Sequence, residues 1–288
     1  MKDLVSAIKE TVSFLRSKGF EKPMAGIVMG TGLGAMADKI EDRVIISYKD
    51  IPHFPEATVE FHKGNLIYGK IGGVKVIAMQ GRFHYYEGYS MQQLTFPVRV
   101  MKELGIDYLF LSNAAGGMNP GYEKGDLIMI EDHINLLPDN PLRGINDASL
   151  GQRFVDMCRP YDRILGDKLM QKAAEQNINL KVGIYVSVMG PNLETRAEYR
   201  WLRSTGADMV GMSTVPEVIV ANQAGLKCAA ISVITDECDP DNLKPVNISE
   251  IIEVAGKADK VLTELLVSVI KELTWLFLVI FPNLVVDF

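Results

Sequence analysis

Cysteine is scarce in this chain: Cys158, Cys228 and Cys238 are an odd number, set at no zinc-like spacing. A reduced, cytoplasmic compartment is the simplest reading of so few thiols. Histidine is equally sparse. His53, His62, His84 and His133 are too dispersed for a metal box, and no His-Glu-x-x-His occurs, so no metal is expected. A Gly-x-Ser-x-Gly nucleophile elbow is missing as well. Basic residues are scattered within a net charge of −6, whereas nucleic acid binding needs a concentrated positive face. No apolar run approaches the roughly 20 residues of a membrane span. The nearest is the apolar tail Trp275 to Phe288, broken at Pro282. It can pack into a groove, serve an oligomer contact or be an extension foreign to the working fold. The opening Met1-Lys2-Asp3-Leu4 starts a charged amphipathic pattern, and no secretory signal is read there. Nor does a Ser/Gly/Pro-rich linker, an internal repeat or a low-complexity tract divide the sequence. One domain over residues 1–273, followed by the tail 274–288, is the expected organisation.

What is present is an ordinary globular composition, 48% apolar and 23% charged over 288 residues. A chain of that size buries roughly 75% of its unfolded surface, enough for a core without disulfides. Apolar residues Leu4, Ile8, Val12 and Leu15 recur at helical spacing, predicting a helix over 3–18 that stops near Gly19. Gly26 to Met29 reads as a short strand. Residues 65–71 and 74–79 read as a hairpin turned at Gly72-Gly73. Further helices are expected over 90–104 (with Pro97 forcing an irregularity if interior), 161–176, 194–204, 215–224 and 248–273. Further strands are expected over 107–111, 127–130, 182–189 and 229–235, and the stretch 133–159 reads as a long loop of functional or mobile kind. The alternation gives an α/β fold: a single domain with a central mixed β-sheet flanked by helices.

The unusual residues fall just beyond strand ends, where such folds place their sites. Gly30-Thr31-Gly32-Leu33-Gly34 is open to three readings: a tight turn, an anion cradle built from converging N–H groups, or a poor dinucleotide fingerprint. In Gly81-Arg82-Phe83-His84-Tyr85-Tyr86-Glu87-Gly88-Tyr89, Arg82 and His84 can both reach one phosphate from an extended chain, and the tyrosines offer a wall for a sugar or base. A surface loop with a salt-bridged arginine is the plain alternative. The small residues from Ser112 to Gly117 allow a ligand close to backbone amides, or simply close packing. Glu194 stands at a strand mouth and helix start, as a working carboxylate or as a cap. Ser213 and Thr214 open another helix and can cap it or bind phosphate. Thr235-Asp236-Glu237-Cys238-Asp239 is an acidic run at a strand end, either a solvated face or a cluster whose repulsion favours keeping one proton.

Taken together, these segments, with Asp132-His133-Ile134-Asn135-Leu136 and Gly211-Met212-Ser213-Thr214-Val215-Pro216-Glu217, resemble the trimeric class of purine nucleoside phosphorylases and the related methylthioadenosine phosphorylases. The resemblance runs in family order from about residue 20 to 272. It implies a nucleoside phosphorylase fold, no cofactor, inorganic phosphate as co-substrate, a purine nucleoside substrate and a homotrimer, with neither nucleic acid nor membrane as partner. It implies phosphate contacts from Thr31, His62, Arg82, His84, Ser213 and the backbone of Ala114. Tyr86 and Met212 would meet the ribose. Tyr185, Leu193, Glu194, Val210 and Asp236 would form the base pocket, lined also by Asn113, Ala115 and Gly116, and His84, Glu194 and Asp236 would carry the catalysis.

Three positions depart from that pattern. Family members cover the ribose with an aromatic residue from a neighbouring subunit, and the matching residue here is Leu150. Asp236 stands where enzymes strict for 6-oxopurines carry Asn; ionised it would accept from an adenine amino group, and protonated it would donate to N7 or O6. Ile248, between Asn247 and Ser249, stands where a histidine usually meets the 5′ hydroxyl. Glu194 argues the other way, since methylthioadenosine phosphorylases typically carry a small residue there, so inosine and guanosine, with their deoxy forms, are the expected substrates and adenosine an additional one. Methylthioadenosine phosphorolysis and a non-catalytic nucleoside-binding protein are the alternatives.

Overall fold

The computed structural model describes residues 4–30, 34–56, 58 and 63–273. The expected helix at the start is α1 (Leu4–Ser17), which buries Ala7, Ile8, Thr11, Val12 and Leu15 on one face. It ends before Gly19, whose φ of 90° only glycine adopts without strain. The fully buried β1 (Ala25–Met29) follows. An exposed strand that the sequence pattern did not reveal, β2 (Glu41–Ser47), pairs antiparallel with β3 (Asn65–Ile71). The hairpin of β3 with β4 (Val74–Gln80) turns at Gly72 and Gly73, with φ of 55° and 86°. Two consecutive left-handed residues are what a tight primed turn demands. Next, α2 (Met91–Leu104) starts at Ser90, whose side chain accepts from Gln93 N, and runs unbroken through Pro97.

The strand after α2 is twice as long as its pattern suggests. β5 (Tyr108–Gly117) takes in the small residues from Ser112 to Gly117 that read as a loop beyond the strand. The reason is a partner far along the chain: β9 (Lys227–Glu237) pairs with β5 in parallel along its whole length. Likewise β6 (Leu127–Asn135) extends five residues past its expected end and takes His133 to Asn135 out of the presumed loop. After α3 (Arg163–Glu175) come β7 (Leu180–Ser187), α4 (Arg196–Ser204), the three-residue β8 (Met209–Gly211), α5 (Val215–Gln223), β9 and the long α6 (Ile248–Ile270).

Among the described residues the nine strands form one mixed sheet in the order β2-β3-β4-β1-β5-β8-β7-β6-β9, and β9 returns to pair with β5. The last five strands thus close into a ring, and β1 to β4 extend from it as an open sheet. β5 belongs to both parts. Its pairing with β1 ends at Leu111, and its pairing with β8 begins only at Gly116. Among the described residues, 112–115 therefore have no strand on that side. A fork of this kind is a switch point, where α/β sheets leave a crevice for ligands. Helices cover both faces, with one apolar cluster gathering α1, α2 and α5 and another gathering α3 and α6.

Candidate active site

At the fork lies a cavity of about 170 Å³, lined by His84, Tyr86, Ala114, Ala115, Gly116, Leu193, Glu194, Tyr199, Val210, Gly211, Met212, Thr235, Asp236 and Ile251. Ten residues singled out in the sequence therefore line one cavity, although they come from segments up to 152 residues apart (84 to 236). Arg82, Asn113, Tyr185 and Ser213 are buried behind it. Thr31 and His62, and the tail 274–288, lie outside the described residues.

Arg82 is 1% exposed, with Nη1 donating to Ser112 O at 2.9 Å, Ser213 Oγ at 3.0 Å and Thr214 Oγ1 at 3.1 Å. Its charge is matched by buried Glu217, whose Oε2 stands 3.5 Å from Nη2. Burial pushes the Glu217 carboxyl up, and Arg82 draws it back down. Glu217 also accepts from Thr214 N at 3.1 Å, as the last member of a Thr-x-x-Glu start to α5. Asn113 joins the same network, donating to Thr214 Oγ1 at 2.8 Å and accepting from Ser232 Oγ at 2.7 Å.

Thr214 has φ 70° and ψ −52°, and Val215 N donates to Ser213 O at 2.8 Å. These are the marks of a γ-turn in its strained form. A β-branched residue holds that conformation only when its surroundings over-determine it. Here Arg82 and Asn113 fix its hydroxyl and Glu217 its N–H. Tyr185 supports the preceding residue from below, its hydroxyl accepting from Ser213 N at 3.3 Å. The strained turn thereby holds the Ser213 hydroxyl beside Arg82.

His84 is held by Glu87, which accepts from the His84 backbone N at 2.7 Å and lies 2.9 Å from Nδ1. A carboxylate at Nδ1 takes the N–H there, so the neutral ring carries its lone pair on Nε2. Burial lowers the His84 pKa, and the Glu87 hydrogen bond offsets part of that. Tyr86 stacks on the imidazole at 4.7 Å, and burial pushes its phenol up to about 12.

The opposite wall carries two acids. Glu194 precedes α4 and does not cap it: Thr195 is the cap and Glu198 its reciprocal partner, which leaves the Glu194 carboxylate to the cavity. Burial raises the Glu194 pKa, and the neighbouring Asp236 adds to the rise. Asp236 owes its direction to a bulge. Register between β5 and β9 slips after the Ala115–Ile234 pair, so that Gly116 faces Asp236 and Thr235 is the extra residue. Such an insertion turns the following side chain to a new aim. Thr235 Oγ1 then donates to Asp236 Oδ1 at 2.9 Å, and Cys238 Sγ to Oδ2 at 3.2 Å. Of the acidic run, Glu237 and Asp239 are the solvated part.

Sequence reasoning gave no role to Glu87, Glu217, Tyr199 or Cys238. The capping spacing Thr214-x-x-Glu217 was a usable signal for one of them. Among the described residues, no group of three or more His, Cys, Asp or Glu side chains is disposed to hold a metal ion, and no helix is long and apolar enough to cross a membrane.

Known proteins share this fold along most of the chain. Residues 25–271 match the family model described as the phosphorylase superfamily. Purine nucleoside phosphorylase 1 of Bacillus subtilis is 49% identical over 250 residues, covering 87% of this chain and 92% of that protein. The purine nucleoside phosphorylase of Mus musculus is 45% identical over 258 residues, covering 87% and 89%. Among solved structures, isoform 2 of purine nucleoside phosphorylase from Schistosoma mansoni, in complex with cytosine and ribose-1-phosphate, superposes with a TM-score of 0.89 at 38% identity, covering 93% of this chain and 97% of that one. A Schistosoma mansoni purine nucleoside phosphorylase in complex with adenosine gives 0.88 at 37%. With the fold, the forked sheet and these matches in agreement, the chain belongs to the phosphorylase superfamily.

Proposed function

We propose that this chain catalyses the phosphorolysis of purine nucleosides, releasing the free base and leaving ribose 1-phosphate. The observation that supports this most is the meeting, in one small cavity, of His84 and Ala114 with Glu194 and Asp236. One wall offers donors suited to phosphate, the other acceptors suited to a purine edge. The relatives named above carry the same activity in their names.

In this reading phosphate lies against His84, the Ala114 backbone and Ser213, with Thr31 and His62 assigned as further phosphate contacts and Arg82 supplying charge through Ser213. Tyr86 and Met212 meet the ribose. Leu193, Val210, Ala115 and Gly116 enclose the base, with Asn113 and Tyr185 supporting the wall from behind. The bond from C1′ to the purine stretches, its electron pair leaves with the base, and a phosphate oxygen attaches to the opposite face of C1′. Phosphate held close to the cation-like ribosyl group stabilises it, so no covalent enzyme intermediate is needed. Glu194 accepts from N1–H of a 6-oxopurine, and the departing base takes up one proton at N7, balancing the one that monohydrogen phosphate gives up as its oxygen bonds to C1′.

Inosine and guanosine, with their deoxy forms, are the proposed main substrates, and Asp236 adds adenosine. Methylthioadenosine is the second reading, favoured by Ile248: this apolar residue is 53% exposed at the start of α6 and suits a 5′-methylthio group. We further assign the enzyme to purine salvage in the cytoplasm, without cofactor, as a homotrimer in which Leu150 covers the neighbouring subunit's ribose. Residues 1–273 make up the catalytic domain and 274–288 an appendage. Phosphate-dependent base release measured in parallel from inosine, guanosine, adenosine and methylthioadenosine tests the assignment, and dominant turnover of the last would replace it by the second reading. Sedimentation of the full chain and of one ending at Leu273 tests the trimer and the tail together.

A further inference from the structure

Behind the base-facing wall, Tyr199 of α4 and Cys238 just past β9 belong to a small buried cluster with Met118, Val186, Leu202 and Val210. Their exposures are only 2% and 1%. Packing alone would be served by Phe and Val, yet each residue here brings a polar hydrogen into an apolar place. A buried donor without an acceptor is costly, so where these hydrogens go is informative. Cys238 Sγ donates to Asp236 Oδ2 at 3.2 Å. Tyr199 lines the same cavity as Glu194, where a hydrogen bond from its phenol favours the charged form of that carboxyl, and it packs in one cluster with Cys238. Phenol and thiol each hold one proton, and the acceptors at hand are the two carboxylates.

We propose that Tyr199 and Cys238 are positioning residues for base recognition, Tyr199 donating to Glu194 and Cys238 to Asp236, so that both acids present a fixed free lone pair to the purine. The inference rests on the functional reading above, because it takes Glu194 and Asp236 as the base-facing groups. It gives the cavity a device that links its two acids through buried side chains. The close fit of the wall belongs to the same device: a Cβ on Gly116 would stand 2.5 Å from Cys238 Sγ and 3.2 Å from Asp236 Oδ2, so glycine alone leaves room for the thiol to reach the acid.

The test uses the full chain and the variants Tyr199→Phe, Cys238→Val and Cys238→Ser. Calorimetric binding of hypoxanthine should weaken about tenfold in Tyr199→Phe, the loss expected for one hydrogen bond to a charged group. Phosphate binding should stay within about twofold, since phosphate meets the other wall. The acid limb of the pH profile for inosine should move to higher pH, because the Glu194 carboxylate loses a donor that favours its charged form. Cys238→Val should lower kcat/KM for adenosine more than for inosine, and Cys238→Ser, which keeps a donor, should restore the ratio. Hypoxanthine binding unchanged within twofold together with an unmoved acid limb would overturn the proposal. So would equal losses of hypoxanthine and phosphate binding with a lowered Tm, the signature of a purely structural role. An unmodified chain that binds hypoxanthine but releases no base from any nucleoside would overturn the functional reading, while the binding comparison would still decide the role of Tyr199.

Discussion

Arg82 and Glu217 form a buried ion pair, Nη2 to Oε2 at 3.5 Å, directly behind the hydroxyl of Ser213. The pair sets how much positive charge the phosphate wall presents. Replacing Glu217 with Gln removes the carboxylate and leaves a buried guanidinium without it. Breaking such a pair costs about 3 kcal/mol or more of folding stability. Phosphate binding to the folded state should recover part of that loss through mass action. Denaturant unfolding of Glu217→Gln with and without saturating phosphate should therefore show a larger phosphate-induced stabilisation than the unmodified chain does.

Glu87 governs a different feature of the same wall, the orientation of His84. Glu87→Gln retains a hydrogen-bond acceptor but loses the charge that favours the N–H at Nδ1. The expected result is a KM for phosphate raised by about tenfold, the scale of one charge-assisted hydrogen bond, with KM for inosine little changed. Initial rates at varied phosphate and fixed, saturating inosine measure it. Equal changes in both constants would count against a role confined to phosphate.

The pH dependence follows from Glu194. Its pKa is raised by burial and by Asp236, so the carboxylate that accepts from N1–H is lost at a higher pH than for an ordinary glutamate. Activity that needs the ionised form is present above the raised pKa and falls as pH drops through it. The acid limb of kcat/KM for inosine should accordingly lie above the usual glutamate range. Glu194→Gln should remove that limb and reduce kcat/KM for inosine by about a hundredfold, since a half-buried charged acceptor is lost from the transition state.

Gly116→Ala tests the packing of the base wall. The added Cβ meets Cys238 Sγ at 2.5 Å, closer than real contacts allow, so the thiol and then Asp236 must shift. Adenosine turnover should fall more than inosine turnover, because Asp236 is the group assigned to the amino purine. A substrate panel run on this variant checks the ratio.

Much of this site was legible in the sequence because its pieces are local. Gly72-Gly73 announces its own turn, and the segments around Arg82, Glu194 and Ser213 carry their chemistry within a few residues. What was hidden depends on distant partners. Ser112 to Gly117 look like a loop, since small residues have little strand propensity, yet β9 pairs with all six of them, with one slip after Ala115. The strands β2 and β8 were missed for related reasons. The first is exposed and mixed in pattern, and the second is only three residues long. The closure of five strands into a ring, and the bulge that turns Asp236 inward, are properties of pairing that no single segment contains. The support given by Glu87, Glu217, Tyr199 and Cys238 is hidden in the same way, because an acid, a phenol or a thiol acquires its role from the side chain it meets.

The most direct test of the functional account is a quantitative assay of inosine cleavage with and without inorganic phosphate, following hypoxanthine and ribose 1-phosphate together. Phosphorolysis predicts that both products form in a one-to-one ratio and that neither appears when phosphate is withheld. Hypoxanthine released at the same rate without phosphate, with free ribose as the second product, would contradict it.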